Sequence, residues 1–291
     1  MGKILIVADK GKSCVATSRG LELAEKLGHD AEVVAFIYAP LDRIEGGKAA
    51  QAALKQQLLD QRREQMLERI GACSKDQQKV ALKVVWMKTV HPWIVKRTSN
   101  TQFAAVVKTS HSSGSLGYTS TDWHLLRECP VPVLMVAEKK WSRTRPVMAA
   151  LDLGTRKRSK QQLNSRVLGA AKALAEALDV ELKILSAIEI PSMLADLDLV
   201  DPISYTKKHR EEMMPHLKAL AKEHGIPEKN FVTKRGPVRK VITSQAAKAR
   251  AQIVVMGTVA RQGLSAKLIG NTAENVLQDL RTDVLALKPE S

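Results

Sequence analysis

Aromatic residues are scarce in this chain: Phe, Trp and Tyr together make up 3% of 291 residues. A core must therefore be assembled from Val, Leu, Ile, Ala and Met, which favours aliphatic strands covered by helices, as in α/β folds. Cysteine is scarce too. Cys14, Cys73 and Cys129 are odd in number and far apart, which excludes a disulfide framework and a CxxC metal or redox pair and agrees with a reducing cytosol. No stretch reaches the roughly 18 apolar residues of a membrane helix, so no membrane insertion is expected. The opening MGKILIVADKGKS has five apolar residues before Asp9. That is too short for a signal-peptide core and reads as a buried strand, consistent with a cytoplasmic protein. Acidic residues are outnumbered: 46 Lys and Arg against 30 Asp and Glu give a formal charge of +16. Both halves share the excess, so no basic tail exists. A solvated Lys/Arg surface explains it, and so does attraction to anions such as nucleotides, nucleic acid or a membrane surface.

At this length two domains of ordinary size fit, and the chain repeats itself. Lys3–Ala8 (KILIVA) closes on Asp9, and Val147–Leu151 (VMAAL) closes on Asp152. Ala31–Ile37 answers to Val180–Ser186, Phe103–Val107 to Gln252–Met256, and Val133–Val136 to Val284–Leu287, in the same order and at a nearly constant offset. A further strand per half is expected at Val80–Met87 and Asn230–Lys234. Helical spacing of apolar residues fills the gaps: Ser13–Leu27 before Gly28, Lys48–Ile70, Pro92–Asn100, Gln162–Leu178, Ile203–His224 before Gly225, and Val238–Ala249. Strand alternating with helix predicts two α/β domains, each a five-stranded parallel sheet flanked by helices. The boundaries are 1–137 and 145–291, joined by the charged stretch Glu138–Arg145. A linker this short favours two halves packed on each other over two that swing freely.

In open α/β sheets ligands bind at the carboxyl ends of the strands. The segment there with most to offer is Met256–Thr272, MGTVARQGLSAKLIGNT. It leaves a strand, passes Gly257, Gly263 and Gly270, and enters a helix expected over Asn271–Leu280. Asn271 with Glu274 three residues on reads as a capping box. The glycines admit close backbone approach, and the helix N-terminus offers N–H groups to an anion such as phosphate. A glycine-rich connection without a ligand fits the same residues.

Strand, Gly, long loop, Gly, polar residue, helix and final strand is also how the universal stress protein domain ends, and the chain resembles that family over nearly its whole length. The variants GNTAENVLQDLRTDVLALKP and TDWHLLRECPVPVLMV are most similar to the tandem E-type members of proteobacteria. The resemblance implies two tandem Rossmann-like domains, a stress-response role exercised by binding rather than catalysis, and pairing of the two halves as an internal pseudo-dimer, with a further homodimer. It also implies an adenine-nucleotide site of the ATP type. The family's nucleotide motif, G-x-x-G, nine residues, then G followed by Ser or Thr, falls on Gly257, Ala260, Gly270 and Asn271, with Thr272 next. The second and fourth positions depart: Ala260 adds a methyl, and Asn271 has no hydroxyl. The site is therefore a degenerate one, completed by Asp152, which matches the Asp that closes the family's first strand. Asp9 matches it in the first half, but Lys108–Thr121 (KTSHSSGSLGYTST) carries no such glycine pattern, and aligning the last helices sets Gly270 against Thr119 and Asn271 against Ser120.

Other signals are weaker. Gly11-Lys12-Ser13 imitates the end of a P-loop but lacks its first glycine. The seven histidines show no metal-ligand spacing, so no metal site is expected. His111 between Ser110 and Ser112 reads as a polar loop rather than a nucleophile pair. Lys10 and Lys12, and Arg156, Lys157, Arg158 and Lys160, lie where fold topology puts strand ends, and they suit a phosphate or a solvated turn equally. Lys234, Arg235, Arg239 and Lys240 around Gly236-Pro237 pose the same choice. Trp86, Trp93, Trp123 and Trp141 all fall in the first half or the linker, as core residues or as the lining of an apolar ligand cavity. Two other function classes stay open: an ATP hydrolase or nucleotide transferase using Asp152, and a nucleic-acid binder, disfavoured because no recognised motif accompanies the spread charge.

Overall fold

Aliphatic runs that alternate with amphipathic helices settle into two sets of parallel strands. The computed structural model describes residues 2–9, 11, 15–73, 79–110, 120–137, 141, 144–191, 193–194, 197, 199–258 and 270–289, with the side chains of Ser120 and Asn271 excepted. Contacts divide the chain into two units whose border in sequence falls between Glu138 and Lys139.

The first unit runs β1 (Lys3–Val7), α1 (Val15–Lys26), β2 (Asp30–Ile37), α2 (Gly47–Cys73), β3 (Val80–Trp86), α3 (His91–Asn100), β4 (Ala105–Thr109), α4 (Ser120–Glu128) and β5 (Val133–Val136). Its strands lie in the order β3-β2-β1-β4-β5, all parallel. The second unit runs β6 (Val147–Leu151), α5 (Arg158–Leu178), β7 (Leu182–Ile188), α6 (Pro202–His224), β8 (Phe231–Arg235), α7 (Val238–Ala249), β9 (Ile253–Gly257), α8 (Asn271–Asp279) and β10 (Asp283–Leu287), with a 3-10 turn at Glu228–Asn230. It repeats the pattern as β8-β7-β6-β9-β10. Each core is the aliphatic one expected from the lack of aromatics: Leu5, Ile6, Val33 and Val106 in the first unit, and Val147, Ala149, Val254 and Val255 in the second, are almost fully buried.

Helix ends follow local chemistry. Gly28, at φ +65°, stops α1, where His29 N–H reaches the Ala24 carbonyl and Gly28 N–H that of Glu25, the six-to-one and five-to-two pair of a Schellman end. Gly225 ends α6 in the same way. Asp201 caps the start of α6 by accepting from the Ser204 N–H.

Two strands sit further along the chain than their apolar runs suggest. β4 is Ala105–Thr109 rather than Phe103–Val107, and β7 is Leu182–Ile188 rather than Val180–Ser186. Partners carry polar residues into these strands. Lys108 is buried against Asp122 at 2.7 Å, Thr109 bonds Asp9, and the Ser186 hydroxyl accepts from the Leu153 N–H. In β4 an apolar-run reading stops at Val107, where Lys108 and Thr109 begin. The ladders also correct the repeat by one residue: Ile4 pairs with Ala105 as Val147 pairs with Ile253. Thr109 is therefore the counterpart of Gly257. Matching bonds agree, since Ser110 and Thr258 each use N–H and hydroxyl on the carbonyl ending the neighbouring strand, Val136 and Leu287 respectively. No helix among the described residues is long and apolar enough to cross a membrane.

Candidate functional site

In the second unit strand order reverses at β6, which has β7 on one side and β9 on the other. A crevice opens at the carboxyl ends of strands wherever order reverses. Here it is a cavity of about 480 Å³, bordered by Asp152 after β6, Gly257 at the end of β9, and the first turns of α5 and α8. Asp152, Gly257, Gly270 and Thr272, four of the residues singled out from sequence, meet on it. Asn271 lies between two lining residues, in the first turn of α8. Ala260 lies outside the described residues.

Two helix N-termini face this cavity. α5 begins after Lys157, whose side chain makes no cap bond and whose carbonyl accepts from Lys160 and Gln161; Lys157, Ser159 and Lys160 all line the space. α8 begins after Gly270, at φ −65° and ψ 141°, whose carbonyl accepts from the Glu274 N–H at 2.9 Å. The capping residue is thus Gly270 and not Asn271, and a glycine brings no side chain to the cap. Asn271 is already the first residue inside the helix, one place beyond the capping position that its sequence pattern suggests. A helix start without a side-chain cap leaves N–H groups and the positive dipole end available to an anion.

Asp152 is exposed, and Lys160 Nζ stands 3.1 Å from its carboxylate. Its backbone is gripped from α5: Asn164 Oδ1 accepts from the Asp152 N–H at 3.0 Å, and Asn164 Nδ2 donates to the Asp152 carbonyl at 2.7 Å. Asn164 escaped the sequence reading. Its signal was a polar residue inside the buried stripe Leu163, Val167, Leu168. Leu185, Ala187, Ile242, Met256 and Val276 supply apolar wall. Gly257 has a packing reason beside any ligand, because a Cβ there would stand 2.5 Å from Leu163 Cδ2.

At the matching place in the first unit, the described residues bond to one another. Asp9 is 7% exposed. Thr109 Oγ1 donates to its carboxylate at 2.7 Å and accepts from the Ala16 N–H at the start of α1, at 3.1 Å. A threonine hydroxyl thus accepts one N–H of the first turn of α1, where the corresponding strand end of the second unit carries Gly257 and no side chain. Lys10, Lys12, Ser13 and the loop around His111 lie outside the described residues. Ser110 is committed to the Val136 carbonyl.

Elsewhere, Arg239 holds Asp279 through two hydrogen bonds, which gives that basic residue a structural partner. Trp86, Trp93, Trp123 and Trp141 are half-buried, and Trp93 packs edge-on against Phe36 at 5.4 Å. The fold also brings His91 to His124 and Glu128, a pair four residues apart on α4. Burial and the adjacent His124 hold the His91 imidazole below its ordinary value, against an opposing pull from Glu128.

The family model described as "Universal stress protein family" matches residues 1–137 and again 144–288. The chain belongs to the universal stress protein family. Universal stress protein E of Escherichia coli strain K12 is 33% identical over 217 residues, 72% of this chain and 69% of that protein. A homolog of universal stress protein E from Haemophilus influenzae is 32% identical over 212 residues, with 71% and 69% covered. Among solved structures, a protein of unknown function from Pseudomonas aeruginosa PAO1 superposes with a TM-score of 0.70 at 26% identity, covering 99% of this chain and 92% of that one. A universal stress protein from Archaeoglobus fulgidus, 17% identical, shares the fold at a TM-score of 0.63 over 98% of each chain. Both units are thus universal stress protein domains, and the chain is a tandem member of a stress-response family.

Proposed function

We propose that the second unit is a binding module of the stress response whose crevice takes a phosphorylated ligand of the adenine-nucleotide type, and that the protein acts in the cytoplasm through this binding rather than by turnover. One observation carries the reading: the N-termini of α5 and α8, with Lys157 and Lys160, border a single cavity that also has an apolar wall. Phosphate oxygens suit the helix N-termini and the lysines. A planar base suits the wall of Leu185, Ala187, Ile242 and Met256, and the Asp152 carboxylate accepts from ribose hydroxyls. The cavity lies within the roughly 300–1,000 Å³ of small-molecule sites. Asp152, Lys157 and Lys160 are the charged groups among its described lining residues, a set suited to holding charge and lacking a base poised beside a nucleophile.

Calorimetric titration with ATP tests this, with Thr272→Trp filling the mouth of the cavity and the double variant Lys157→Glu/Lys160→Glu reversing its charge. One site per chain, lost in both variants, supports the proposal. Absence of binding at millimolar ATP ends it. Turnover of ATP that disappears in Asp152→Ala would replace binding with catalysis. Tight binding of nucleic acid that falls steeply with salt would instead point to the positive surface.

A further inference from the structure

Away from that crevice, in the first unit, three metal-ligating side chains meet where α3 faces α4. His91 is the first residue of α3, and His124 and Glu128 lie four residues apart on α4. That spacing puts both on one helix face. The two imidazoles stack with centroids 4.0 Å apart and planes 5° from parallel. His124 Nδ1 is 2.7 Å from Glu128 Oε1. One ligand atom from each residue lies within 4.8 Å of the other two, and all three residues are half-buried, so the cluster is reachable from solvent without being fully hydrated.

We propose that His91, His124 and Glu128 form a binding site for a divalent transition metal of the zinc type. Two imidazoles and one carboxylate are the donor set that Zn²⁺ accepts with a further position left to water. The same set disfavours Mg²⁺ and Ca²⁺, which take oxygen donors. Zinc bonds of about 2.0–2.2 Å in a tetrahedron separate ligand atoms by roughly 3.3–3.6 Å. The His124–Glu128 pair opens slightly to reach that spacing, and His91 closes on it. The stack must also break, because the in-plane lone pairs of parallel rings do not converge on one point. A turn of the His91 ring about its Cβ–Cγ bond supplies that convergence. The metal then replaces the proton between His124 and Glu128 and ties the start of α3 to the end of α4.

The test uses the full chain, freed of metal by a chelator and carrying no affinity tag, titrated with ZnCl₂ near neutral pH by calorimetry, and separately with CoCl₂ by visible absorption. The expected result is one site per chain saturating at micromolar zinc, visible bands of low-coordinate cobalt, and a higher melting temperature of the first unit with zinc bound. His124→Ala and Glu128→Gln, both on a short helix, and His91→Ala each weaken binding at least about tenfold and abolish the thermal shift, while circular dichroism shows that they fold. Retention of full zinc affinity in His91→Ala and His124→Ala assigns the metal to Cys73 or another surface group and overturns the proposal, as does failure to saturate below millimolar zinc.

Discussion

Glu32 sits inside β2 with its side chain 2% exposed, and the Arg97 guanidinium reaches it from α3 through two hydrogen bonds of 2.9 and 2.6 Å. Arg97→Met removes the fork and keeps the apolar stem. Breaking a buried pair by deleting one partner costs about 3–5 kcal/mol, most of it the stranded charge. Two features lower that figure here. Arg97 is itself 26% exposed, and Lys83, half in solvent at 3.6 Å, stays behind as a weaker partner. A loss of about 2–3 kcal/mol is expected, and with a urea dependence of about 2 kcal/mol per molar the midpoint falls by roughly 1–1.5 M. Tryptophan fluorescence of a Trp141→Phe background is the suitable probe, because the other three tryptophans, Trp86, Trp93 and Trp123, belong to the first unit and the two units need not unfold together. The loss also has a pH signature. Burial pushes the Glu32 carboxyl up, but the hydrogen bonds and charge of Arg97, with Lys83 and Lys3, outweigh it and hold the group below its ordinary 4.5. A group whose folded value is lowered contributes stability that is complete above the unfolded value and is lost as pH falls through the folded one. The gap between wild type and Arg97→Met is therefore widest near pH 7 and narrows as the pH falls, first as the stranded Glu32 of the variant takes up its proton and then down to the lowered value of the wild type. A gap equally wide at pH 3.5 and pH 7, or smaller than about 0.5 kcal/mol at neutral pH, refutes the assignment of this pair as a buried electrostatic tie.

Three further outcomes are expected. Lys108→Met leaves Asp122, fully buried, without the ammonium 2.7 Å away and destabilises the first unit by about 3–5 kcal/mol, whereas Lys108→Met combined with Asp122→Leu recovers most of that loss in urea unfolding. Gly257→Ala drives its methyl to within 2.5 Å of Leu163 Cδ2; the second unit loses about 1–3 kcal/mol by calorimetry, and ATP affinity falls because Leu163 lines the same cavity. Asn164→Ala removes both bonds that grip the Asp152 backbone and costs about 1–3 kcal/mol; in ATP titrations it weakens binding without touching a ligand-facing charge, and unchanged affinity would show that Asp152 holds its place unaided.

Much of this protein could be read along the chain. Alternation of aliphatic runs with amphipathic segments dictates parallel strands under helices, since a strand covered on both faces must be apolar throughout, and the repeat of that alternation dictates two domains. Gly28 and Gly225 mark helix ends locally, because a left-handed residue is needed there whatever the surroundings. Other features have no local cause. Lys108, Thr109 and Glu32 look wrong for buried strands until Asp122, Asp9 and Arg97 arrive from distant segments. Gly257 reads as a ligand-facing glycine, while the atom that demands it belongs to Leu163, on another helix. Asp9 and Asp152 read alike in sequence, each closing the first strand of its half. Only the folded chain distinguishes them, because the Thr109 hydroxyl bonds both Asp9 and the Ala16 N–H, and Gly257, at the corresponding place beside Asp152, has no side chain to do the same. Periodicity and backbone preference act between near neighbours and survive in the sequence. Whether the aspartate is buried on a neighbouring strand, as Asp9 is on Thr109, is decided by a contact across some hundred residues, and closure of the sheet alone brings those residues together.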